Sequence, residues 1–141
     1  MESYKHIVQY YETDKMGITH HSNYIRWMEE SRINFLREIG WDYKRLESLG
    51  MISPVMEVNA KYKMSTTFED EIFIDVYVKE MKGIRLYIGY EMKNSEGKMV
   101  FEGESMHCFL NEQGRPISLQ KQYPDFYEAL KALERKEDSE A

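Results

Sequence analysis

The sequence has little cysteine, few prolines and no long hydrophobic run, and these shortages exclude several classes of protein. A single cysteine, Cys108, cannot form an intramolecular disulfide, so a disulfide-stabilised scaffold is excluded. Cys108 lies in an apolar run, which predicts a buried and inert thiol. No apolar stretch approaches the roughly 20 residues of a membrane span, and no basic-then-apolar signal segment opens the chain. We therefore expect a cytoplasmic protein without a membrane span.

Positively charged residues are outnumbered by negatively charged ones. Lys and Arg number 19 against 25 Asp and Glu, a net charge of −6, so the general electrostatic footprint of a nucleic-acid-binding protein is absent. The end of the chain is rich in charge, and we assign 137–141 to a charged tail that follows a single domain at 1–136. Because 42% of the residues are hydrophobic, that domain can bury a core.

The clearest positive signal is a long amphipathic helix. Bulky residues recur from Tyr24 to Ile39 at the spacing of one helical face, which predicts a helix of about 17 residues. Ser22 or Asn23 is predicted as its N-cap and Gly40 as its end.

Strand patterns surround this helix. From residue 52 the hydrophobic period changes to two, which is typical of strands, and short glycine-containing turns between them indicate an antiparallel meander. The predicted strands are 7–11, 51–63, 72–79, 84–92 and 99–110, and short helices are predicted at 42–49 and from Pro124 to Leu133. Since the long helix needs a large surface on which to bury its apolar stripe, we predict an α+β fold in which an antiparallel sheet wraps around one long central helix.

A polar segment before the long helix is the candidate site. It contains Asp14, His20 and His21 beside the predicted helix start, where unpaired N–H groups and the positive end of the helix dipole lie. A carboxylate and an imidazole in that position can supply a base, a positioning group and an oxyanion site. On spacing alone, a turn cap at Asp14 and a surface histidine pair are slightly favoured over catalysis.

The segment resembles the signature of hotdog-fold acyl-CoA thioesterases related to 4-hydroxybenzoyl-CoA thioesterase, in the branch associated with the bacterial Tol-Pal cluster. That signature, Tyr-x-(Asp/Glu)-Thr-Asp-x-x-Gly-x-x-x-His-x-Asn-Tyr, is matched by Tyr10, Glu12, Thr13, Asp14, Gly17, His21, Asn23 and Tyr24. Glu29 and Arg32 also match the family's helix pattern. One stretch departs from the family, since Met64-Ser65-Thr66 replaces Arg-Pro-Ala and removes a CoA contact that the arginine could make.

The resemblance implies residue roles. Asp14 is expected to attack the thioester carbonyl or to activate a water as general base. His21 is expected to hold the acyl group or the water, or to share proton transfer, with a plain N-terminal cap of the helix as the alternative. Tyr10 is expected to steady the Asp14 carboxylate, with a simple strand tyrosine as the alternative. The predicted substrate-binding residues are Gly17, Asn23, Tyr24 and Glu29.

The resemblance also implies partners. Acyl-CoA is the expected substrate, so coenzyme A enters as part of the substrate and no further cofactor or metal is expected. Subunits are expected to pair as a homodimer or homotetramer, with active sites at the subunit interface. Lys61, Lys63, Lys82 and Arg85 could meet the CoA phosphates, although a solvated role is favoured for each.

Three alternatives remain open at this stage. A non-catalytic acyl-CoA-binding hotdog module is one, and an acyl carrier protein thioesterase is another. A hotdog hydratase is less favoured, because its Asp-to-His spacing is shorter than the seven residues between Asp14 and His21. A metal site built from Glu12, Asp14, His20 and His21 matches no familiar ligand spacing.

Overall fold

The fold is built from a five-stranded antiparallel sheet and one long helix. The computed structural model describes residues 2–135, so the predicted tail at 137–141 lies outside the described residues. The strands are β1 (Tyr4–Ile7), β2 (Val55–Tyr62), β3 (Glu71–Lys82), β4 (Arg85–Lys93) and β5 (Met99–Cys108), in the sheet order β1-β3-β4-β5-β2. The helices are α1 (Ser22–Glu38), α2 (Tyr43–Ser48), α3 (Leu119–Gln122) and α4 (Pro124–Ala132).

Helix α1 lies against the sheet because its apolar stripe matches the inward-facing residues of the strands. Trp27 and Met28 are buried on α1, and Ile72 and Ile74 are buried on β3, within one continuous hydrophobic core. Alternate residues of β3 point into this core and toward solvent, as the period of two predicts. The predicted α+β architecture is therefore confirmed, and it leaves the start of α1 next to the connection from β1.

Two local predictions were wrong. The strand predicted at 7–11 ends at Ile7, and Tyr10–Glu12 form a 3-10 turn in which the buried Glu12 carboxylate accepts the N–H of Gln9. His21, not Ser22 or Asn23, is the N-cap residue of α1, because the helix begins at Ser22. Gly40 does end the helical stretch, with a φ of +85°.

The two edges of the sheet differ in length and exposure. Strand β1 has four residues, whereas β2 has eight, of which all but Ala60 are exposed. The exposed residues of β2 include Val55, Met56, Val58 and Tyr62, at 43–55% of their full accessible surface. An edge strand of this length and apolar character is a template for pairing with another chain.

Two findings bear on the exclusions made from composition. Cys108 is buried and unpaired, as predicted. Within residues 2–135, no helix is both long enough and apolar enough to cross a membrane.

Candidate active site

A tight hairpin between β1 and α1 carries Asp14. The hairpin closes through a bridge between Thr13 and Thr19, and the N–H of Asp14 donates to the carbonyl of Ile18 at 2.9 Å. Gly17 takes a φ of +79°, a conformation that side chains rarely adopt, and its N–H donates to the carbonyl of Asp14 at 3.0 Å. Gly17 thus shapes the turn that holds Asp14.

The Asp14 carboxylate is half-buried, and only one of its two oxygens accepts a hydrogen bond among residues 2–135. Its Oδ1 accepts the backbone N–H of Met16 at 2.8 Å, so one oxygen caps the turn, as the structural alternative predicted. Its Oδ2 accepts no hydrogen bond from any residue between 2 and 135. Asp14 therefore has a fixed position and one carboxylate oxygen available for chemistry.

The start of α1 presents an available amide beside this hairpin. The backbone N–H of Ser22 donates to Nδ1 of His20 at 3.3 Å, and the N–H of Asn23 donates to the carbonyl of His20 at 3.0 Å. The N–H of His21 has no acceptor in the part of the chain that the structure describes. Because the positive end of the helix dipole lies here, this N–H is suited to a developing oxyanion.

The His21 imidazole is exposed and makes ring contacts only, as judged from residues 2–135. It lies 4.3 Å from the ring of His20 and 6.3 Å, edge to face, from the ring of Tyr62. The Tyr62 hydroxyl donates to the carbonyl of His21 at 3.2 Å, which ties β2 to the start of the helix. Both ring nitrogens of His21 are thus left to meet a ligand.

Asn23 and Tyr24 hold the helix start in place from inside. Asn23 is buried, and its Nδ2 donates to the carbonyl oxygens of Glu12 and His20 at 2.9 and 3.3 Å. The Tyr24 hydroxyl hydrogen-bonds to Oγ1 of Thr66 at 2.9 Å, and its ring stacks on another aromatic ring of the core. Burial raises the pKa of Tyr24, so its hydroxyl keeps its proton. Both residues are buried, and both support the site from inside the protein.

A cavity of about 230 Å³ opens at this helix start. Its walls are formed by Ile18, Thr19, His21, Tyr24, Tyr62, Lys63, Met64 and Ser65. Asp14 is not one of these lining residues, but it is hydrogen-bonded directly to Ile18, which is. Of the predicted site residues, the structure therefore brings His21 and Tyr24 together on the cavity wall, with Asp14 in the adjoining hairpin.

Tyr10 lies apart from this group. It is 75% exposed, and its ring packs edge to face against Phe68 at 5.6 Å. Within residues 2–135 no hydrogen bond joins its hydroxyl to Asp14, so the geometry does not bring about the predicted contact.

Comparison with known proteins identifies the family. A model of the thioesterase-like superfamily matches residues 8–133, which include the Asp14 hairpin, α1 and strands β2 to β5. The chain belongs to the thioesterase-like superfamily.

The relatives of this thioesterase agree with the assignment. It is 31% identical over 129 residues to YneP of Bacillus subtilis (strain 168), assigned as an acyl-CoA thioesterase, with 91% of this chain and 94% of the relative covered. The DHNA-CoA thioesterase of Staphylococcus aureus has the same fold at 30% identity, with a TM-score of 0.88 and coverage of 93% of this chain and 89% of that one. The predicted hotdog fold and the predicted enzyme class, a thioester hydrolase, are confirmed.

A more distant structure shares the fold alone. SAV2348 of Staphylococcus aureus, solved in complex with CoA, is 16% identical to this thioesterase, with a TM-score of 0.84 over 95% of this chain and 85% of that one. The likeness concerns the arrangement of helices and strands, and it assigns no role to particular residues.

A second cavity, of about 370 Å³, lies further along α1 of the thioesterase. It is lined by Glu29, Arg32, Tyr43, Leu46, Glu47, Met51, Ile52, Ser53 and Val55. Glu29 is exposed, and among the described residues it forms no ion pair with Arg32, although the two are three residues apart. Arg32 instead donates to the hydroxyls of Tyr43 and Tyr90 at 3.2 and 2.9 Å.

Arg32 begins a buried polar chain that sequence reasoning missed. The hydroxyl of Tyr90 hydrogen-bonds to Ser105 at 2.7 Å, and Ser105 hydrogen-bonds to Nε2 of His107 at 2.8 Å. All four residues are at least 95% buried. Burial, followed by the charge of Arg32, lowers the pKa of His107 from 6.5 to about 4, so the imidazole is neutral at pH 7.

The basic residues considered for CoA binding are dispersed. Lys63 lines the cavity at the helix start, and its Nζ lies 3.7 Å from a carboxylate oxygen of Glu102. Lys61 is on the exposed edge strand, and Lys82 and Arg85 flank the turn between β3 and β4. Only Lys63 of these four is therefore placed on the cavity wall.

In the stretch from 2 to 135, no three His, Cys, Asp or Glu side chains are grouped so that they could hold a metal ion. Glu12, one member of the set considered from sequence, is buried and hydrogen-bonded to backbone, indole and imidazole groups.

Proposed function

We propose that this protein hydrolyses the thioester of an acyl-CoA to the free acid and CoA, and that Asp14 drives the reaction. The observation that carries the proposal is that Asp14 Oδ2 and the His21 N–H both lack a hydrogen-bond partner among residues 2–135, with His21 on the cavity wall and Asp14 in the hairpin that supplies Ile18 to that wall. The first group can act as nucleophile or general base, and the second can stabilise negative charge on the carbonyl oxygen.

The proposed chemistry places the thioester carbonyl at the start of α1. The His21 N–H and the helix dipole polarise the carbonyl oxygen while Asp14 attacks the carbon or removes a proton from an attacking water. The carbon–sulfur bond then breaks and CoA leaves as a thiolate. If Asp14 is the nucleophile, water afterwards hydrolyses the mixed anhydride and regenerates the carboxylate.

The acyl group is proposed to lie along the exposed face of α1. His21, Ile25 and Glu29 follow this exposed side of the helix, the buried Arg32 comes next along it, and the rise from His21 to Glu29 is about 12 Å. This face connects the cavity at the helix start with the larger one at Glu29, where Leu46, Met51 and Val55 supply an apolar lining. An acyl chain or an aromatic acyl group, such as the one that the name of the Staphylococcus aureus relative implies, suits such a lining.

We further propose that two subunits pair through β2, as a homodimer or as the unit of a homotetramer. Val55 and Tyr62 lie at opposite ends of β2 and line the two cavities, so a partner strand added at this edge would cover both. This arrangement supports an active site at the subunit interface. Use of no cofactor beyond the CoA of the substrate, a cytoplasmic location and membership of the Tol-Pal-associated branch stay predictions.

A panel of acyl-CoA and acyl carrier protein thioesters, read with a reagent that reports free thiols, tests the proposal. Asp14→Asn and Asp14→Ala should fold normally and lose about 10²- to 10⁴-fold in kcat, because a general base or nucleophile is removed. His21→Ala should lose less, since its backbone N–H remains. Asp125→Asn, at an exposed aspartate of α4, is the matched control and should keep the rate.

The outcomes separate the alternatives. Turnover by Asp14→Asn at the wild-type rate would contradict the role of Asp14. A wild-type protein that binds acyl-CoA in calorimetry but hydrolyses no thioester would favour the non-catalytic binding module. A preference for carrier-protein thioesters over CoA thioesters would identify the physiological thiol instead.

A further inference from the structure

A chain of charged groups runs from the surface to the buried turn behind the site. The Tyr4 hydroxyl donates to Oε2 of Glu30 at 2.9 Å, and Nδ1 of His6 lies 2.9 Å from the same oxygen. Nε2 of His6 lies 2.9 Å from Oε1 of Glu12, whose Oε2 accepts the indole N–H of Trp27 at 2.8 Å. The His6 and Glu12 side chains are 11% and 5% exposed, against 40% for Glu30.

The geometry fixes the protonation of His6. An ionised carboxylate can only accept hydrogen bonds, so each imidazole nitrogen that faces one must carry a proton. Because Glu30 and Glu12 face opposite nitrogens, His6 bridges them as an imidazolium cation. A neutral His6 would have a lone pair directed at one of the two carboxylates, and that contact would become repulsive.

The Glu12 carboxylate is held ionised on the other side. Burial acts to raise the pKa of Glu12, but hydrogen bonds from the Gln9 N–H, His6 and Trp27 outweigh it and hold the pKa below 4.5. At the outer end of this series of contacts, Tyr4 keeps its proton, because burial and then the hydrogen bond to Glu30 raise the pKa of Tyr4 to about 12. His6 is therefore the group that joins the outer carboxylate, Glu30, to the buried carboxylate, Glu12.

The backbone of Glu12 connects this chain to the active-site loop. Its carbonyl accepts the N–H of His20 at 2.8 Å and Nδ2 of Asn23 at 2.9 Å. Asp14 follows Glu12 by two residues, and His21 follows His20 by one. The position of Glu12 is thus coupled by hydrogen bonds and by chain continuity to the Asp14 hairpin and to the first residues of α1.

We propose that His6 is a positioning residue, which in its protonated form clamps Glu12 so that Asp14 and the His21 N–H keep their catalytic separation. The proposal rests on the function proposed above. The clamp needs a proton on each ring nitrogen of His6 and is lost when one of the two protons leaves. The groups that face His6 are Tyr4 on β1, Glu12 in the turn, and Glu30 and Trp27 on α1, while its neighbour on β3 is the apolar Ile72.

Two variants separate the clamp from a merely structural contact. In Glu30→Gln the amide can donate to a neutral His6, which can still donate to Glu12, so the clamp no longer needs the cation. In His6→Gln nothing titrates, and the side chain cannot bridge both carboxylates in the same geometry. Lys5→Gln is the control, because Lys5 lies on the same strand as His6 and the change removes only a surface ion pair with Glu71 of β3.

The experiment records kcat and KM on an acyl-CoA thioester from pH 6 to pH 9.5, corrected for uncatalysed hydrolysis. It also records the ¹⁵N shifts of His6 and the hydrogen exchange of amides 10–21. In the wild type, kcat should fall in step with the loss of one His6 ring proton, as the ¹⁵N shifts record it, and exchange in 10–21 should rise in parallel. His6→Gln should lower kcat roughly 10- to 100-fold at every pH with little change in KM, since the substrate-binding cavity is intact.

Glu30→Gln supplies the decisive comparison. It should keep kcat near the wild-type value where the wild-type His6 carries both ring protons, and hold more of it than the wild type where one proton has left, which a simple loss of stability cannot produce. Exchange in 10–21 that is unaffected by His6 titration, or a Glu30→Gln profile that falls like the wild type's, would overturn the proposal. A wild type inactive on every thioester would overturn the proposed function instead, and the exchange data would still decide whether the clamp exists.

Discussion

Thr66 shows how a single buried hydroxyl can organise the helix start. Its Oγ1 hydrogen-bonds to the hydroxyls of Thr19 and Tyr24 at 2.6 and 2.9 Å, and it is 2% exposed. Its backbone carbonyl also accepts the N–H of Thr19 at 2.8 Å. One side chain from the connection between β2 and β3 thus links the Asp14 hairpin to α1.

Replacing Thr66 by valine keeps the shape and removes the hydroxyl. We expect Thr66→Val to lower the free energy of unfolding by about 1–3 kcal/mol, because two buried hydroxyls lose a partner. Urea unfolding followed by circular dichroism measures the change, and Ser65→Ala, at the exposed neighbour, is the control. Equal stability of Thr66→Val and the wild type would mean that the buried hydroxyls find other partners.

At the residue scale, the sequence pointed to the site through local spacing together with the resemblance to the thioesterase signature. Asp14 and His21 lie within one short segment beside a predicted helix start, so both could be named in advance. Thr66 and His6 could not, because their partners are set by contacts that only the folded chain creates, between residues 47 apart in the case of Thr19 and Thr66. The predicted contact between Tyr10 and Asp14 did not arise, since the 3-10 turn replaced the strand that was expected to carry Tyr10.

At the scale of elements, hydrophobic period was a reliable guide to type and a weaker one to boundaries. The long helix, Ser22–Glu38, and four of the strands were recognised from periods of 3.6 and two. The start of β2 was placed four residues early, because the apolar Met51 and Ile52 belong to the lining of the second cavity and not to the strand. The short helix Leu119–Gln122 was missed, since four residues carry too little periodicity to detect.

The exposed edge strand gives a prediction about assembly. Val58→Lys places a charge on β2 and should shift the protein from dimer to monomer, because a lysine on an edge opposes pairing with another strand. Sedimentation equilibrium measures the mass, and kcat should fall with it if the site needs both subunits. Ile7→Lys, on the opposite edge, is matched in exposure at 44% against 43% and should keep the wild-type mass. A wild type that is itself monomeric would contradict pairing through β2.

At the scale of the whole molecule, a chain of hydrogen-bonded polar side chains runs through the apolar core. The chain from Arg32 through Tyr90 and Ser105 to His107 crosses from α1 to β4 and β5. Nδ1 of His107 has no hydrogen-bond partner among residues 2–135. Because protonation would add a second positive charge near Arg32 inside the core, the folded state binds that proton much more weakly than the unfolded state does.

This difference predicts the acid sensitivity of the fold. The pKa of His107 is about 4 in the folded protein and 6.5 as an ordinary histidine, so its contribution is complete above pH 6.5 and is lost as the pH falls toward 4. The loss amounts to about 3 kcal/mol. His107→Gln should flatten the dependence of the unfolding free energy on pH between 6.5 and 4, and His20→Gln, at an exposed histidine, should not. Identical slopes in wild type and His107→Gln would rule out this origin.

The unequal edges of the sheet also decide how far association can proceed. A two-fold axis at β2 would use the same surface on both molecules. A second copy would therefore cover the only long edge strand within residues 2–135. What is left outward on each side is the four-residue β1, too short to recruit a third sheet in the same manner. Growth along the strand-pairing direction would therefore halt at two, which would protect the protein from the open-ended stacking that leads to fibres.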